Sequence, residues 1–542
     1  MKAMKIYGKI IAVMLSCLIL CSCEGWLKTD PVGNIVADEF YQTPQEVEYA
    51  LIGVYSGLLP LSEYYWYMGE LRADHLWTAN AEDSNAQRDY IDIMTYSTNQ
   101  VLAGTLNSAW LAYYKIISRV NYLLYKMAGT AFEEVAEGDL DIRASFEAEA
   151  RTLRAFAYFD LVRFFGRVPM VTTPQTVDEA MDTGQSESRD IYEKVIIPDL
   201  QFAIDNLGDE ACNYKGNAAG TGRVNRIVAQ ALLGRVYATM AGYPLNDLSK
   251  KELALENLKE VVDYAEKEGK YWAKDGLEWQ KMWISDYDNR YHIWEIQYTA
   301  KENYGNTGVY WMVPKVSAKY IDLQMSGYVI EGRPDFLSLF DTDVDGDGEF
   351  DDARRSGTIN YDFEDSYADA DKKQYITKFF DHKIKRKRLG FTDNLSQIVT
   401  RTYFPINFPL VRLEDMMLLY AELAGSSDQE AVRYVNKIRT RAGIGNLTSD
   451  EIDDFATAVD HERQRELAGE GIRWHDIVRR GTWQKLMKDK FKSLGSNQYG
   501  TVTNAKVYDY NLRVSDGAYL FPIPDPQMKV KDGLYTQNEA YR

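Results

Sequence analysis

The run Asp341-Thr342-Asp343-Val344-Asp345-Gly346-Asp347-Gly348-Glu349-Phe350-Asp351-Asp352 has the spacing of a metal-binding loop. Numbered 1 to 12, it sets carboxylates at 1, 3 and 5, glycine at 6, a backbone carbonyl at 7, Glu349 at 9 and Asp352 at 12. That is the ligand order of an EF-hand-type calcium loop, with aspartate in place of the usual glutamate at the last position. Without a cation the clustered carboxylates repel one another, and Gly346 permits the turn that gathers them. The expectation is a structural Ca²⁺ held by Asp341, Asp343, Asp345, Asp347 and Asp352, against the alternative of a solvated acidic turn. No other cofactor is expected.

A second cluster, Glu462, Glu466, Glu470, His475 and Asp476, has the composition of an acid–base site. It is interleaved with Arg463, Arg465, Arg473, Arg479 and Arg480, whose guanidinium groups suit bidentate pairing with those carboxylates. The expectation is therefore a polar helix face satisfied by ion pairs. His75, His292, His382, His461 and His475 form no H-E-x-x-H, and there is no G-x-S-x-G, P-loop or paired C-x-x-C. No catalytic residue is assigned and no enzymatic activity is expected. A carboxylate pair assembled by folding would be the route to a competing reading, a surface glycoside hydrolase.

Aromatic residues make up 13% of the chain, with 39 tyrosines. Exposed indole and phenol faces stack on the C–H faces of sugars or on peptide side chains. Candidates for such contacts are Trp66, Tyr67 and Trp77 in one aromatic stretch and Trp283, Tyr304, Tyr310 and Trp311 in another. Asn80 and Asp83, with Asp286 and Asn289, are placed to hydrogen-bond hydroxyls. Trp294, flanked by Ile293 and Ile296, reads as core.

The elements that must position these residues are mostly helical. Phe146, Ala150, Leu153, Ala157, Leu161 and Phe164 form an amphipathic stripe that stops at Gly166 and Pro169. Ala231, Gly234 and Ala238 mark a close-packing face on a helix predicted over 224–240. Leu410, Leu413, Met417, Tyr420 and Ala424 predict a third helix, and Ala431, Val435, Ile438 and Ala442 a fourth. The fold class expected is mainly α, a tetratricopeptide-like helical-hairpin scaffold without a clean repeat. Residues 64–107 and 268–410 interrupt it as loops and short strands, and the ligand site is expected there.

The 542 residues are 45% hydrophobic and 26% charged, with no low-complexity linker, so a single large body is expected. Its net charge of −19 argues against nucleic acid as a partner. Lys2, Lys5 and Lys9 precede an apolar stretch, Ile10 to Leu20, too short for a permanent membrane helix. Leu20-Cys21-Ser22-Cys23 then resembles the lipobox of bacterial lipoproteins. On that likeness residues 1–22 are a leader and Cys23 is acylated, the only attachment to membrane. Cys212 then remains alone, and the mature chain has no internal disulfide.

Five blocks resemble the SusD/RagB family of outer-membrane lipoproteins. They are Cys23-Glu24-Gly25-Trp26-Leu27 with the segment Phe40 to Tyr55; Glu149-Ala150-Arg151 through Phe164-Phe165-Gly166 to Pro169; and Gly222-Arg223-Val224 through Tyr237. The fourth runs from Arg412-Leu413-Glu414 through Arg439 and Gly443 into the Glu462–Arg479 run, and the fifth is Phe521-Pro522-Ile523-Pro524 with Gln537-Asn538 and Tyr541. The resemblance spans the body from 23 to 542, with an N-terminal part over about 23–240 and a C-terminal part over about 270–542. It implies a protein of the outer membrane facing the cell surface that captures glycan, or in some members peptide. It also implies a role as the lid of a SusC-like TonB-dependent transporter.

Overall fold

The computed structural model describes residues 40–78, 100–130, 141–220, 222–284, 291–301, 303–312, 330–359, 376–392, 404–494, 514 and 516–542. Its helices of ten residues or more are α1 (Pro44–Tyr55), α2 (Gln100–Met127), α3 (Ile142–Phe165), α4 (Ile197–Asn206), α5 (Arg226–Ala241), α6 (Lys251–Glu268), α7 (Leu413–Ala424), α8 (Gln429–Ala442), α9 (Phe455–Leu467) and α10 (Trp483–Leu494). Strands of three residues or more are β1 (Leu76–Thr78), β2 (His292–Ile296), β3 (Ile330–Gly332) and β4 (Phe408–Arg412), paired antiparallel as β1–β3 and β2–β4. Helix dominates: the mainly-α expectation holds. No described helix is long and apolar enough to cross a membrane.

Local chemistry sets the helix boundaries. Asp141 caps α3 by accepting from the Ala144 backbone N–H at 3.0 Å, and Asn225 caps α5 through the Val228 N–H at 3.0 Å. The stripe from Phe146 to Phe164 lies on α3 as expected, with every member buried. Leu410 does not belong to the helix predicted from its spacing; it sits in β4, and the helical stripe begins with Leu413. A short apolar run is compatible with either period, and pairing with β2 decides it.

Each helix packs on its neighbour in chain order from α1 to α8, and α9 returns onto α7. The close-packing face of α5 meets α6: a Cβ on Gly234 would lie 3.0 Å from the Leu258 side chain. Buried ion pairs join the same helices. Arg154 on α3 holds Asp199 on α4 through two bonds of 2.8 and 2.9 Å, and Arg235 on α5 reaches Asp415 on α7 at 2.6 Å. The C-terminal segment closes the scaffold beside the end of α3, where the Phe521 N–H donates to Phe164 O at 2.7 Å and Asn538 donates to Phe165 O at 3.0 Å. One continuous apolar core runs from Val47 to Ile523, with Trp294 fully buried in it.

Candidate functional site

The two aromatic stretches, far apart in sequence, are brought together. The first continues from the short helix Leu61–Tyr64 into a π-helical turn, Tyr65–Leu71, and then β1. The second contributes a 3₁₀ turn, Thr307–Met312, which packs on Leu61–Tyr64, while β3 pairs with β1. Ser62 and Asn306 form the junction. Ser62 Oγ donates to Asn306 Oδ1 at 2.8 Å and accepts from Tyr298 Oη at 2.8 Å. Asn306 is tied to the strand region by Nδ2 to Ile406 O at 3.0 Å and by its N–H to Phe404 O at 2.7 Å. Beside this junction Glu63 accepts from Tyr67 Oη at 3.1 Å and Thr307 Oγ1 at 3.3 Å. Burial, then the neighbouring Glu63 carboxylate, pushes the Tyr64 phenol up to about 12, so it keeps its proton and remains a donor.

The first stretch is anchored from below. Tyr65 Oη donates to Asp160 of α3 at 2.6 Å, and Glu70 accepts from the Gly471 N–H at 2.7 Å. Gly69 lies against Gly471 so closely that a Cβ there would fall 2.1 Å from Gly471 O. Only a residue without a side chain permits this approach.

Among the predicted ligand contacts, Tyr304 is exposed over 54% of its surface, on a turn held by Thr299 N–H to Tyr304 O at 2.9 Å. Trp77 lies in β1 opposite Glu331, and Tyr310 and Trp311 lie in the 3₁₀ turn that packs on Leu61–Tyr64. Their side chains, with Asn80, Asp83, Asp286, Asn289 and Cys23, fall outside the described residues. Three predictions are corrected: Trp66 at 1% exposure, Tyr67 at 3% and Trp283 at 0% are core residues with no face left for a ligand. Trp283 is enclosed by Trp279, Phe379 and the Lys378 ammonium, 4.3 Å from its ring centre. Aromatic content could not separate these from exposed rings, because the π-helical turn buries successive residues that a regular stripe would have alternated. Ser62 and Asn306, the hinge of the face, carry no sequence signal of their own.

In the acidic loop, carboxylate oxygens of Asp343, Asp345 and Asp351 lie within 4.8 Å of one another. Asp343 accepts from Gly346 N–H at 2.7 Å and Gly348 N–H at 3.0 Å, so the loop is already curled around it. Asp352, the predicted twelfth-position ligand, is corrected. It is buried, caps the helix Ala353–Thr358 and holds Arg354 in a bidentate pair at 2.9 and 2.8 Å. Asp351, one residue earlier, takes its place in the cluster. Asp341 pairs with Arg355 at 3.1 Å and Asp347 accepts from Glu349 N–H at 2.8 Å, and neither belongs to the three. Three hard oxygen donors suit a divalent cation such as Ca²⁺.

The charged run is structural, as its composition predicted. Glu466 accepts from Trp279 Nε1 at 2.8 Å, Arg412 at 2.8 Å, Arg441 at 2.6 Å and Arg354 at 3.1 Å. All four partner side chains and Glu466 are fully or almost fully buried. Burial would raise the Glu462 carboxyl, but Arg354 and Arg465 hold it down to about 2. Burial also draws the Lys378 ammonium down to about 8, against the pull of Glu470. These carboxylates are committed to internal cations and closed to solvent, so they cannot flank a glycosidic bond.

The scaffold defines a class: a helical-hairpin frame carrying an irregular surface built from two excursions distant in sequence. Residues 375–541 match the SusD family, and residues 42–238 match a family described as "Starch-binding associating with outer membrane". A SusD-like protein of Bacteroides ovatus is 24% identical over 538 residues, covering 94% of this chain and 89% of that protein. A SusD homolog from Bacteroides thetaiotaomicron superposes with a TM-score of 0.71 at 22% identity, covering 92% of this chain and 97% of that one. A laminarin-binding SusD-like protein superposes with a TM-score of 0.67 at 22% identity, covering 92% of this chain and all of that one. The chain belongs to the SusD/RagB family.

Proposed function

We propose that this protein is a lipid-anchored surface binder of glycan that captures polysaccharide or oligosaccharide without altering it. It delivers the ligand to a SusC-like TonB-dependent transporter, for which it acts as lid, at the outer membrane. The observation that carries the reading is the convergence of the excursions at Ser62–Asn306, with Tyr304 exposed two residues before Asn306 and Thr307 bonded to Glu63 one residue after it. An exposed phenol next to hydrogen-bonding groups on a rigid support suits a sugar ring. Family membership supports the outer-membrane setting, and the likeness to the laminarin-binding SusD-like protein supports the ligand class. Anchoring through Cys23 is part of the same proposal. So is a structural Ca²⁺ in the acidic loop, held by Asp343, Asp345 and Asp351 in place of the five ligands expected from spacing.

Calorimetry of the purified protein against neutral polysaccharides and peptides, with product analysis of the same samples, tests the reading. Saturable glycan binding with unchanged ligand is the expected outcome. Tyr304→Ala weakens it roughly 5- to 10-fold, about 1–1.4 kcal/mol. Peptide binding alone would reassign the ligand, and appearance of product would replace the binder with a hydrolase.

A further inference from the structure

A cavity lies at the C-terminal end of α3, bounded by the turn Tyr243–Leu245 that follows α5, the short helix Arg473–Arg479 and the segment Tyr519–Leu520. These lengths of chain, remote in sequence, are fixed against one another: the Tyr243 N–H donates to Arg479 O at 2.7 Å, and the rings of Tyr243 and Tyr519 meet edge-on at 5.0 Å. Among the lining residues Pro244 is exposed and Tyr243 and Tyr519 are half-buried, whereas Tyr192 and His475 are buried, so the cavity opens beside Pro244. Its volume is about 50 Å³, room for about four waters or for a group of about four non-hydrogen atoms, and too small for a whole sugar ring.

The polar groups that line it are not satisfied within the protein. His475, only 9% exposed, has a buried Nε2 with no hydrogen-bond partner among the described residues, and the same holds for Arg163 Nε. The hydroxyls of Tyr192, Tyr243 and Tyr519 likewise make no hydrogen bond among the described residues. A buried polar atom left unpaired costs free energy, and several converging on one cavity mark a place for a ligand. The charges of the lining are already neutralised: Arg163 pairs with Asp160, and Arg479 with Glu422 at 2.7 Å and Asp476 at 2.9 Å. Burial, then Arg163, holds the His475 imidazole well below 6.5, so it is neutral, and burial pushes the Tyr519 phenol up to about 12, so it keeps its proton. Val162, Leu245 and Val478 supply apolar walls. Such a lining suits an uncharged group with an acceptor oxygen and a small apolar end.

We propose that this cavity is a second saccharide site and that it takes the acetamido group of an N-acetylated sugar. The acetamido carbonyl accepts from the tyrosine hydroxyls, its N–H donates to His475 Nε2, and its methyl rests on Val162, Leu245 and Val478. The sugar ring stays outside, against the half-buried tyrosines. A sugar with a hydroxyl in place of the acetamido group leaves the apolar walls unfilled and the inner polar atoms unpaired, which is the basis of selection. The inference rests on the glycan-binding reading and adds to it a separate location and a substituent class.

The test titrates the full-length protein in detergent with chitotetraose, with cellotetraose, which carries a hydroxyl where chitotetraose carries the acetamido group, and with maltohexaose and laminarihexaose. Chitotetraose binds roughly tenfold more tightly than cellotetraose, and saturation-transfer NMR marks its acetyl methyl most strongly. Tyr243→Phe combined with Tyr519→Phe, which deletes two hydroxyls and keeps both rings, weakens chitotetraose binding roughly fivefold. Leu245→Trp fills the cavity from a half-buried position and abolishes the preference for chitotetraose. Binding of maltohexaose or laminarihexaose is unchanged in both variants, which shows that they fold. If these glucans bind and chitotetraose is not preferred over cellotetraose, or if the preference survives Leu245→Trp, the second site is overturned while glycan capture stands. If no saccharide binds, both readings fall.

Discussion

Glu466 shows how much of this protein's charge is internal. One carboxylate receives Trp279, Arg354, Arg412 and Arg441, while the Glu466 carbonyl accepts Lys378 at 2.8 Å and Arg412 at 3.0 Å. Removing a buried carboxylate strands the cations it neutralised, and breaking such a pair typically costs about 3–5 kcal/mol. Glu466→Gln is therefore expected to lower stability by about that amount, read as an earlier denaturant midpoint at unchanged slope. An unchanged midpoint would show that the cluster does not hold α7, α8 and α9 together. At the same scale, interleaved arginines disclosed the structural role of residues 462–479, because each acid had a cation within a helical turn. Individual aromatic roles were not legible in this way. Trp66 and Tyr304 are alike in composition and neighbourhood, and only their contacts separate a core ring from an exposed one.

Among the elements, the acidic loop is the one for which calcium binding is proposed. Among the described residues Asp343, Asp345 and Asp351 are drawn together without a paired cation, and the neighbouring Arg355 pairs with Asp341. Calcium is expected to relieve that repulsion and raise the melting temperature, and a chelator to reverse the gain. Differential scanning calorimetry with and without millimolar Ca²⁺ checks this, with Asp343→Asn abolishing the shift and Asp347→Asn leaving most of it. A shift unaffected by Asp343→Asn would place any calcium elsewhere. The spacing that pointed to this loop named Asp352 because an EF-hand register counts twelve positions. The register slipped by one since Asp352 is consumed by Arg354, a contact set by the packing of Ala353–Thr358 on α9 residues Glu462 and Glu466. The helices were more legible: a sustained apolar stripe marks α3, whereas the short run at 408–412 needed its partner strand.

The whole molecule combines a strongly acidic surface with a C-terminal core of buried ion pairs, and its pH response follows. Against the opposing effect of burial, neighbouring arginines hold Glu422 and Glu462 to about 2, and Asp74, Asp415, Asp460, Glu466 and Asp476 below the ordinary range. Glu149 and Asp199, raised by burial, act in the opposite sense but are outnumbered. A carboxyl whose folded pKa lies below its unfolded one stabilises the fold fully above the unfolded value, near 4.5 for glutamate. That contribution is lost as pH falls toward about 2. Burial holds His382 and His475 well below 6.5, so they add a loss that begins near that pH, where the unfolded chain takes up protons and the folded chain does not. Melting temperature is expected to decline below about pH 6.5 and more steeply below about 4.5; a flat profile to pH 3 would contradict the pairing described here. By itself the amino-acid sequence determined the helical class, the family, the structural role of the charged run and the acidic loop, because each is written in residue types at short, regular spacing. Tertiary structure alone decided which aromatics are buried and that the stretch around 61–78 meets the one around 304–332 at Ser62 and Asn306. Those depend on contacts across tens to hundreds of residues, and short-range spacing carries no record of them.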